Sequence, residues 1–218
     1  MDDSVSRALS PTQPPLDPDQ REVELFWEEA RKVSGLEDMD IYMGQRPVAS
    51  LQPPAMAFGD TAELATELVG LVIDGTKTAT AGPLSDYDPE VATLVVQGDL
   101  EAAAEVDPAE LSGEPLPEPG SMWIACDGGG HPRALVETRA VDVVPFDEVS
   151  VEHAAAEGEG DLSLDYWRRA HVRFLPGFEG RPVDEPWPDG EEWPSDLMVL
   201  ERIRCVFPTD PKGFLDLF

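Results

Sequence analysis

Residues 145–175 read PFDEVSVEHAAAEGEGDLSLDYWRRAHVRFL. The stretch runs from a strand exit through a short helix and a Gly-Glu-Gly loop to a second, amphipathic helix. Ser150 is the expected N-cap of the first helix, Ser150 to Glu157, because a serine hydroxyl can accept from the unpaired amides of the first turn. His153 and Glu157 stand four residues apart on it and share a face. Glu157 falls at the helix C-terminus, where the macrodipole disfavours an anion. It is therefore either solvated or kept for function. Glu159 and Asp161 read as solvated loop acids. On the second helix Leu164, Trp167, His171 and Phe174 form one stripe. This favours His171 as a packed, hydrogen-bonded histidine, with a catalytic role as the alternative. Arg168 lies off that stripe and either clamps a ligand anion or pairs with neighbouring acids. His153 and Glu157 have the spacing of a metal pair, but no third ligand is evident, so no metal is expected.

One other stretch has comparable specificity: GTKTAT, Gly75 to Thr80. Before it, Asp60 reads as an N-cap and Glu63 as the third helical residue of a capping box. Leu64, Leu68, Leu71 and Val72 form the apolar face of that helix, and Gly75 is its left-handed stop. A strand is expected from about Thr76. Lys77 beside the Thr80 hydroxyl can act as a base if burial lowers its pKa. The alternative is that Thr78 and Thr80 are ordinary strand formers and Lys77 a surface charge. In a regular strand residues 77 and 80 face opposite sides, so their cooperation needs a bend or bulge.

Outward from these two stretches, residues 1–18 are proline-rich and poor in apolar side chains, as in a disordered leader. Asp19 to Ser34 carries Val23, Phe26, Trp27, Ala30 and Val33 at helical spacing, ended by Gly35. Leu36 to Pro54 is irregular. Asp86 to Glu118 is rich in Asp and Glu and lacks Lys and Arg. It reads as an acidic surface insertion, with a short apolar run at Thr93 to Val96 and an Ala-rich piece at Ala102 to Ala104. Ser121 to Cys126 and Ala134 to Val144 are strands around Asp127-Gly128-Gly129-Gly130, a hairpin turn rather than a phosphate loop, because no helix follows it. Residues 176–196 form a proline-rich loop pinned by Trp187 and Trp193, and Leu197 to Phe207 is a closing strand. Strands in runs with helices outside them indicate an α+β fold, a small, mostly antiparallel β-barrel with flanking helices.

Composition narrows the function classes. The chain has 218 residues, 41% of them hydrophobic, a globular balance. Its formal charge of -30 opposes phosphate backbones and anionic membranes at long range. Non-specific duplex binding and membrane binding are therefore not expected. A small ligand or a locally basic pocket remains allowed. Cys126 and Cys205 sit in apolar strand-like runs and read as free core thiols. With no secretory signal at the N-terminus, a reducing cytoplasm is the expected location.

With these residues assembled, the chain resembles the ASCH domain family, whose fold is a PUA-like β-barrel. The resemblance spans roughly residues 58–207. It rests on FGDTAELATELVGLVIDGTKTAT, LPEPGSMWIACDGGGHP, VVPFDEVSVEHAAAEGEGDLSLDYWRRAH and LMVLERIRCVF. It implies a division into a leader (1–18), a helix and connection packed on the barrel (19–57), the ASCH domain (58–207) and a C-terminal tail (208–218). The long form looks like an uncharacterised bacterial subgroup. The family is linked to RNA: minimal members remove the acetyl group of N(4)-acetylcytidine, and others have been reported as ribonucleases. By motif, the resemblance implies Thr80 as nucleophile, Lys77 as its base or activator, and Glu157 as the group that positions or shuttles protons. Phe58, Tyr87 and Arg168 are the candidate substrate contacts. No cofactor is implied. Where the minimal members continue the motif with an arginine, Ala81 and Gly82 follow here, so a ligand-anchoring cation is missing. The alternatives are a non-catalytic module for RNA or a modified nucleotide, and a metal-independent ribonuclease.

Overall fold

The structure, a computed structural model, describes residues 13–36, 42–43, 46–47, 52–98, 106 and 113–208. The first twelve residues of the expected leader, the Ala-rich piece at 102–104 and the tail beyond 208 lie outside the described residues.

Helix α1, Gln20–Val33, starts where expected, with the Asp19 carboxylate accepting from the amides of Arg21 and Glu22. Val23, Phe26, Trp27 and Ala30 pack against Met122, Ile124, Leu135 and Phe207. Val33 continues the same spacing but stays 48% exposed, and Leu36 beyond the helix end is buried in the cluster instead. Two short strands follow, β1 (Tyr42–Met43) and β2 (Arg46–Pro47), which among the described residues pair with each other.

The main sheet contains β3 (Ala55–Ala57), β4 (Ala79–Pro83), β5 (Met122–Cys126), β6 (Pro132–Pro145) and β7 (Leu197–Phe207). Its order is β3-β5-β6-β7-β4, antiparallel except for β3 against β5. The two edge strands do not pair with each other, so among the described residues the sheet stays open. The family's small barrel is here an open, twisted sheet flanked by helices. Strand β3 lies where no strand is expected. Three residues are too few for any alternation to register, and only the edge of β5 recruits them.

Helix α2, Ala62–Asp74, is capped by Thr61, not Asp60: the Thr61 hydroxyl accepts from the Leu64 amide. Asp60 instead binds Arg173 at 2.7 Å. Gly75 ends the helix at φ 83°, as expected. Strand β4 starts three residues later than expected, at Ala79. The preceding amides are committed elsewhere: Thr76 N–H to the Asp74 carboxylate, Lys77 N–H to the Leu71 carbonyl, and Thr78 N–H to the Ala156 carbonyl.

The acidic segment after β4 is not only surface. Asp88 caps helix α3, Pro89–Val96, whose Val91 and Val95 are buried with Leu84 and Val199 of β7. The apolar run thus lies on a helix packed against the core, with Val95 buried and Val96 left 68% exposed. The Asp127-Gly128-Gly129-Gly130 run is the hairpin turn of β5 and β6, with the Asp127 carboxylate accepting from the amides of Gly129 and His131. Helices α4 (Val151–Ala156, capped by Ser150) and α5 (Leu164–His171, capped by Ser163) cover the start of β7 on the face opposite α3. They pack there with Phe146, Met198 and Leu200, and Trp187 and Trp193 of the proline-rich loop stack on each other at 4.1 Å against this cluster. Among the described residues no helix is long and apolar enough to cross a membrane.

The hairpin docks on α2 through Gly128, whose amide donates to the Thr66 hydroxyl. A Cβ at this position would overlap the Ala62 backbone. Gly128→Ala is therefore expected to lower stability by about 1–3 kcal/mol through forced backbone displacement. Urea unfolding monitored by tryptophan fluorescence reads this as a lower midpoint, and an unchanged midpoint contradicts the docking.

Candidate functional site

The two diagnostic stretches meet because the end of α4 lies against the exit of α2. Thr78 donates its amide to the Ala156 carbonyl at 2.7 Å, and its hydroxyl reaches the same oxygen at 3.2 Å. Gly158, at φ 73°, makes the approach possible: a Cβ there would sit 2.9 Å from the Thr76 backbone. This contact brings Glu157 beside Lys77.

Lys77 is 2% exposed and Glu157 is fully buried. The Lys77 ammonium donates to Glu157 Oε2 and to Glu159 Oε1, each at 2.8 Å. Glu157 is surrounded by further donors. Trp167 Nε1 donates to its Oε1 at 2.7 Å, His153 Nε2 lies 3.1 Å from the same oxygen, and His171 Nε2 makes a looser contact with Oε2 at 3.6 Å. His171 Nδ1 faces the Trp167 carbonyl at 2.9 Å. A carbonyl only accepts, so that nitrogen carries a proton.

The charges follow from these contacts. Burial alone would raise the Glu157 carboxyl; the Lys77 ammonium, then His171 and the His153 hydrogen bond, overturn that and hold it well below 4.5. Burial alone would lower the Lys77 ammonium, but the Glu157 and Glu159 carboxylates outweigh it and the net direction is upward from 10.5. His171 is likewise pushed down by burial and up more strongly by Glu157, ending above 6.5. Lys77 is thus held as an ammonium, which suits an activator rather than a resting base.

Lys77, Thr80 and Glu157 all line one cleft of about 430 Å³. The cleft follows the open edge of β4, so residues of both strand faces, Thr80 and Gly82 as well as Ala81 and Pro83, contribute to it. The ladder from Ala79 to Pro83 is regular, and Thr80 is registered opposite Glu201. The bend needed to bring Lys77 and Thr80 to one cleft is therefore the irregular segment before the strand. Both described hydrogen bonds of the Lys77 ammonium go to carboxylates and neither to Thr80.

Phe58 also lines the cleft, its ring 5.5 Å from the Lys77 ammonium. Tyr87 and Arg168 do not. Tyr87 packs among the α3 contacts, where burial and the Glu201 charge push its hydroxyl upward. Arg168 donates to the Asp147 carbonyl at 2.7 Å and lies over Trp193.

Glu159 corrects the sequence reading: it is not a solvated loop acid but the second carboxylate on Lys77, its side chain 11% exposed. Asp161 does stay at the surface, accepting from the Ser163 amide. The glycines flanking Glu159 were the available signal, since a residue between two turn glycines can be folded back on its own helix. Sequence reasoning also passed over Tyr166 and Arg173, which line the cleft. Glu157, Glu159 and His171 bring three ligand atoms within 4.8 Å of one another, a spacing that a metal ion accepts. The Lys77 ammonium is already in contact with both carboxylates there and offsets one of their two charges.

Two outcomes follow. Glu157→Ala leaves Lys77, His171 and the Trp167 indole without their shared acceptor, and is expected to destabilise the fold by about 3–5 kcal/mol in chemical denaturation. Because the Glu157 pKa is lowered on folding, its contribution is present above about pH 4.5 and fades as pH falls through the lower folded value. The difference in thermal midpoint between wild type and Glu157→Gln should therefore shrink below about pH 4.5, and a constant difference contradicts an ionised Glu157.

A family model described as the ASCH domain matches residues 85–202, a range that includes Glu157 but begins after Thr80. An Enterococcus faecalis V583 protein assigned to the family DUF984 is similar in structure: TM-score 0.56, 26% identity, covering 86% of this chain and 94% of that one. The ASCH domain from Lactobacillus crispatus JV V101 has the same TM-score of 0.56 at 23% identity, covering 85% and 94%. The latter likeness is one of fold. No curated protein matches the sequence. On the matched range and the sheet-and-helix architecture together, the chain belongs to the ASCH domain family, a PUA-like fold associated with RNA.

Proposed function

We propose that the protein is a metal-independent amidohydrolase of N(4)-acylcytidine-like amides. The observation that carries this reading is the convergence of Lys77, Thr80 and Glu157 on one cleft, with a lysine buried between two carboxylates. A buried ion pair of this kind stabilises a fold no better than apolar packing would, so its presence at a cleft favours a chemical role. The cleft volume falls within the range of about 300–1,000 Å³ usual for small-molecule sites.

The roles follow from the contacts. Two of the three Lys77 N–H donors are taken, leaving one to polarise the amide carbonyl. Glu157, saturated with donors, positions Lys77. Thr80 Oγ1 attacks the carbonyl carbon, and its proton passes to the Glu159 carboxylate. The tetrahedral intermediate expels the exocyclic N(4) amine of cytosine, which takes that proton. Water then cleaves the acyl-Thr80 ester, with Glu159 accepting its proton and returning it to Thr80.

Purified protein incubated with an N(4)-acylcytidine panel should release cytidine. Lys77→Ala and Thr80→Ala should each lower kcat/KM at least about a hundredfold, the scale of losing an activator or a nucleophile. Thermal melting distinguishes loss of fold from loss of chemistry. Full activity in Thr80→Ala would falsify the assigned nucleophile. Saturable binding of the panel without turnover would replace the reaction with a modified-nucleotide binding module. RNA cleavage abolished by Lys77→Ala would replace it with a ribonuclease.

A further inference from the structure

We propose that Arg173 forms an anion subsite in the cleft, so that the ligand is a phosphorylated nucleoside rather than a free one. The cytosine part of this statement rests on the function proposed above; the phosphate part rests on Arg173 alone. The cleft is lined by one lysine and one arginine. The lysine is committed to Glu157 and Glu159. The neighbouring strand residues Ala81 and Gly82 carry no charge.

Arg173 lies on the 3-10 turn Val172–Phe174 that extends α5, with its side chain 19% exposed. One end of its guanidinium, Nη2, donates to Asp60 Oδ1 at 2.7 Å, and the group lies over the Phe174 ring at 4.9 Å. Its Nε is buried with no hydrogen-bond partner. Arg168 and Arg181 share that condition, but only Arg173 lines the cleft. A guanidinium offers five N–H donors in a fixed fork that matches the oxygens of a phosphate. Its tie to Asp60, a residue 46% exposed, is a surface ion pair of little net strength and can be exchanged for a phosphate.

The rest of the cleft fits the other half of such a ligand. Phe58, Tyr166 and Phe174 offer aromatic faces for a base, and Leu64 and Leu68 an apolar wall. Asp86 and Glu159 make other parts of the cleft unfavourable for an anion, which leaves Arg173 as the place for it. The repulsion from a body of charge -30 does not cancel this contact. Long-range repulsion is screened beyond about 8 Å at physiological ionic strength, whereas a hydrogen-bonded phosphate sits within contact distance.

Calorimetric titration of the full chain with cytidine, cytidine 5′-monophosphate and a cytidine dinucleotide tests this. The monophosphate should bind at least about tenfold more tightly than cytidine, the scale of one charge-assisted hydrogen bond. Arg173→Ala should erase that preference, so that the variant, shown folded by thermal melting, binds the monophosphate no more tightly than cytidine. Arg173→Lys should keep part of it, since the charge remains without the fork. Equal gains for monophosphate and dinucleotide point to an RNA phosphodiester as the source; a gain for the monophosphate alone points to a free nucleotide. An Arg173-dependent preference among uridine and adenosine monophosphates, without selectivity for cytosine, upholds the subsite and sinks the cytosine reading. No difference between phosphorylated and unphosphorylated ligands, including no binding of either, overturns the subsite.

Discussion

The buried pair of Lys77 and Glu157 is the constraint on which the site depends. An ammonium with 2% exposure survives as a cation only where a fixed opposite charge offsets the loss of water. Here two carboxylates do so at 2.8 Å. Glu157 in turn could not remain ionised inside the protein without donors, and Trp167, His153 and Lys77 supply them. Each member is costly alone and tolerable only with the others. The set therefore specifies one arrangement of α2, α4 and α5 rather than a family of near-equivalent packings.

The two carboxylates on Lys77 are not equivalent, and this asymmetry gives the site its chemical direction. Glu157 lines the cleft fully buried and saturated with donors, which suits it to holding the lysine in place. Glu159 meets the same ammonium with its side chain partly exposed, and it lines the cleft. The same lysine thus joins a structural carboxylate to one that a ligand can reach. The open edge of β4 completes the arrangement, since a sheet closed at that point would leave no cleft for Thr80 to line.

The overall acidity of the chain and the local character of the cleft act over different distances. A charge of -30 opposes extended polyanions approaching from solution. Inside the cleft, Lys77 and Arg173 stand among Glu157, Glu159 and Asp86, so the near field is mixed rather than uniformly negative. A small ligand experiences mainly the second of these fields. That separation is what would let an acidic protein take the nucleotide-like ligand proposed for it.

Much of the architecture was legible in the sequence because it is written in local periodicity. The α1 stripe, the Asp127-Gly128 hairpin, the Ser150 cap and the closing strand Leu197–Phe207 all depend on neighbours a few residues away. The family motifs likewise singled out Lys77, Thr80 and Glu157. What failed depended on remote partners. Strand β3 exists because β5 offers it an edge, and α3 is core because β7 faces it. Asp60 gave up its capping role to Thr61 and binds Arg173, which is 113 residues away. Glu159 looked like a loop acid because nothing near it in sequence is cationic, and Lys77 lies 82 residues upstream. By itself the sequence determined the type of most elements, the family and the candidate side chains of the site. Only the tertiary structure decided which charges meet, because burial and Coulomb attraction act through space rather than along the chain.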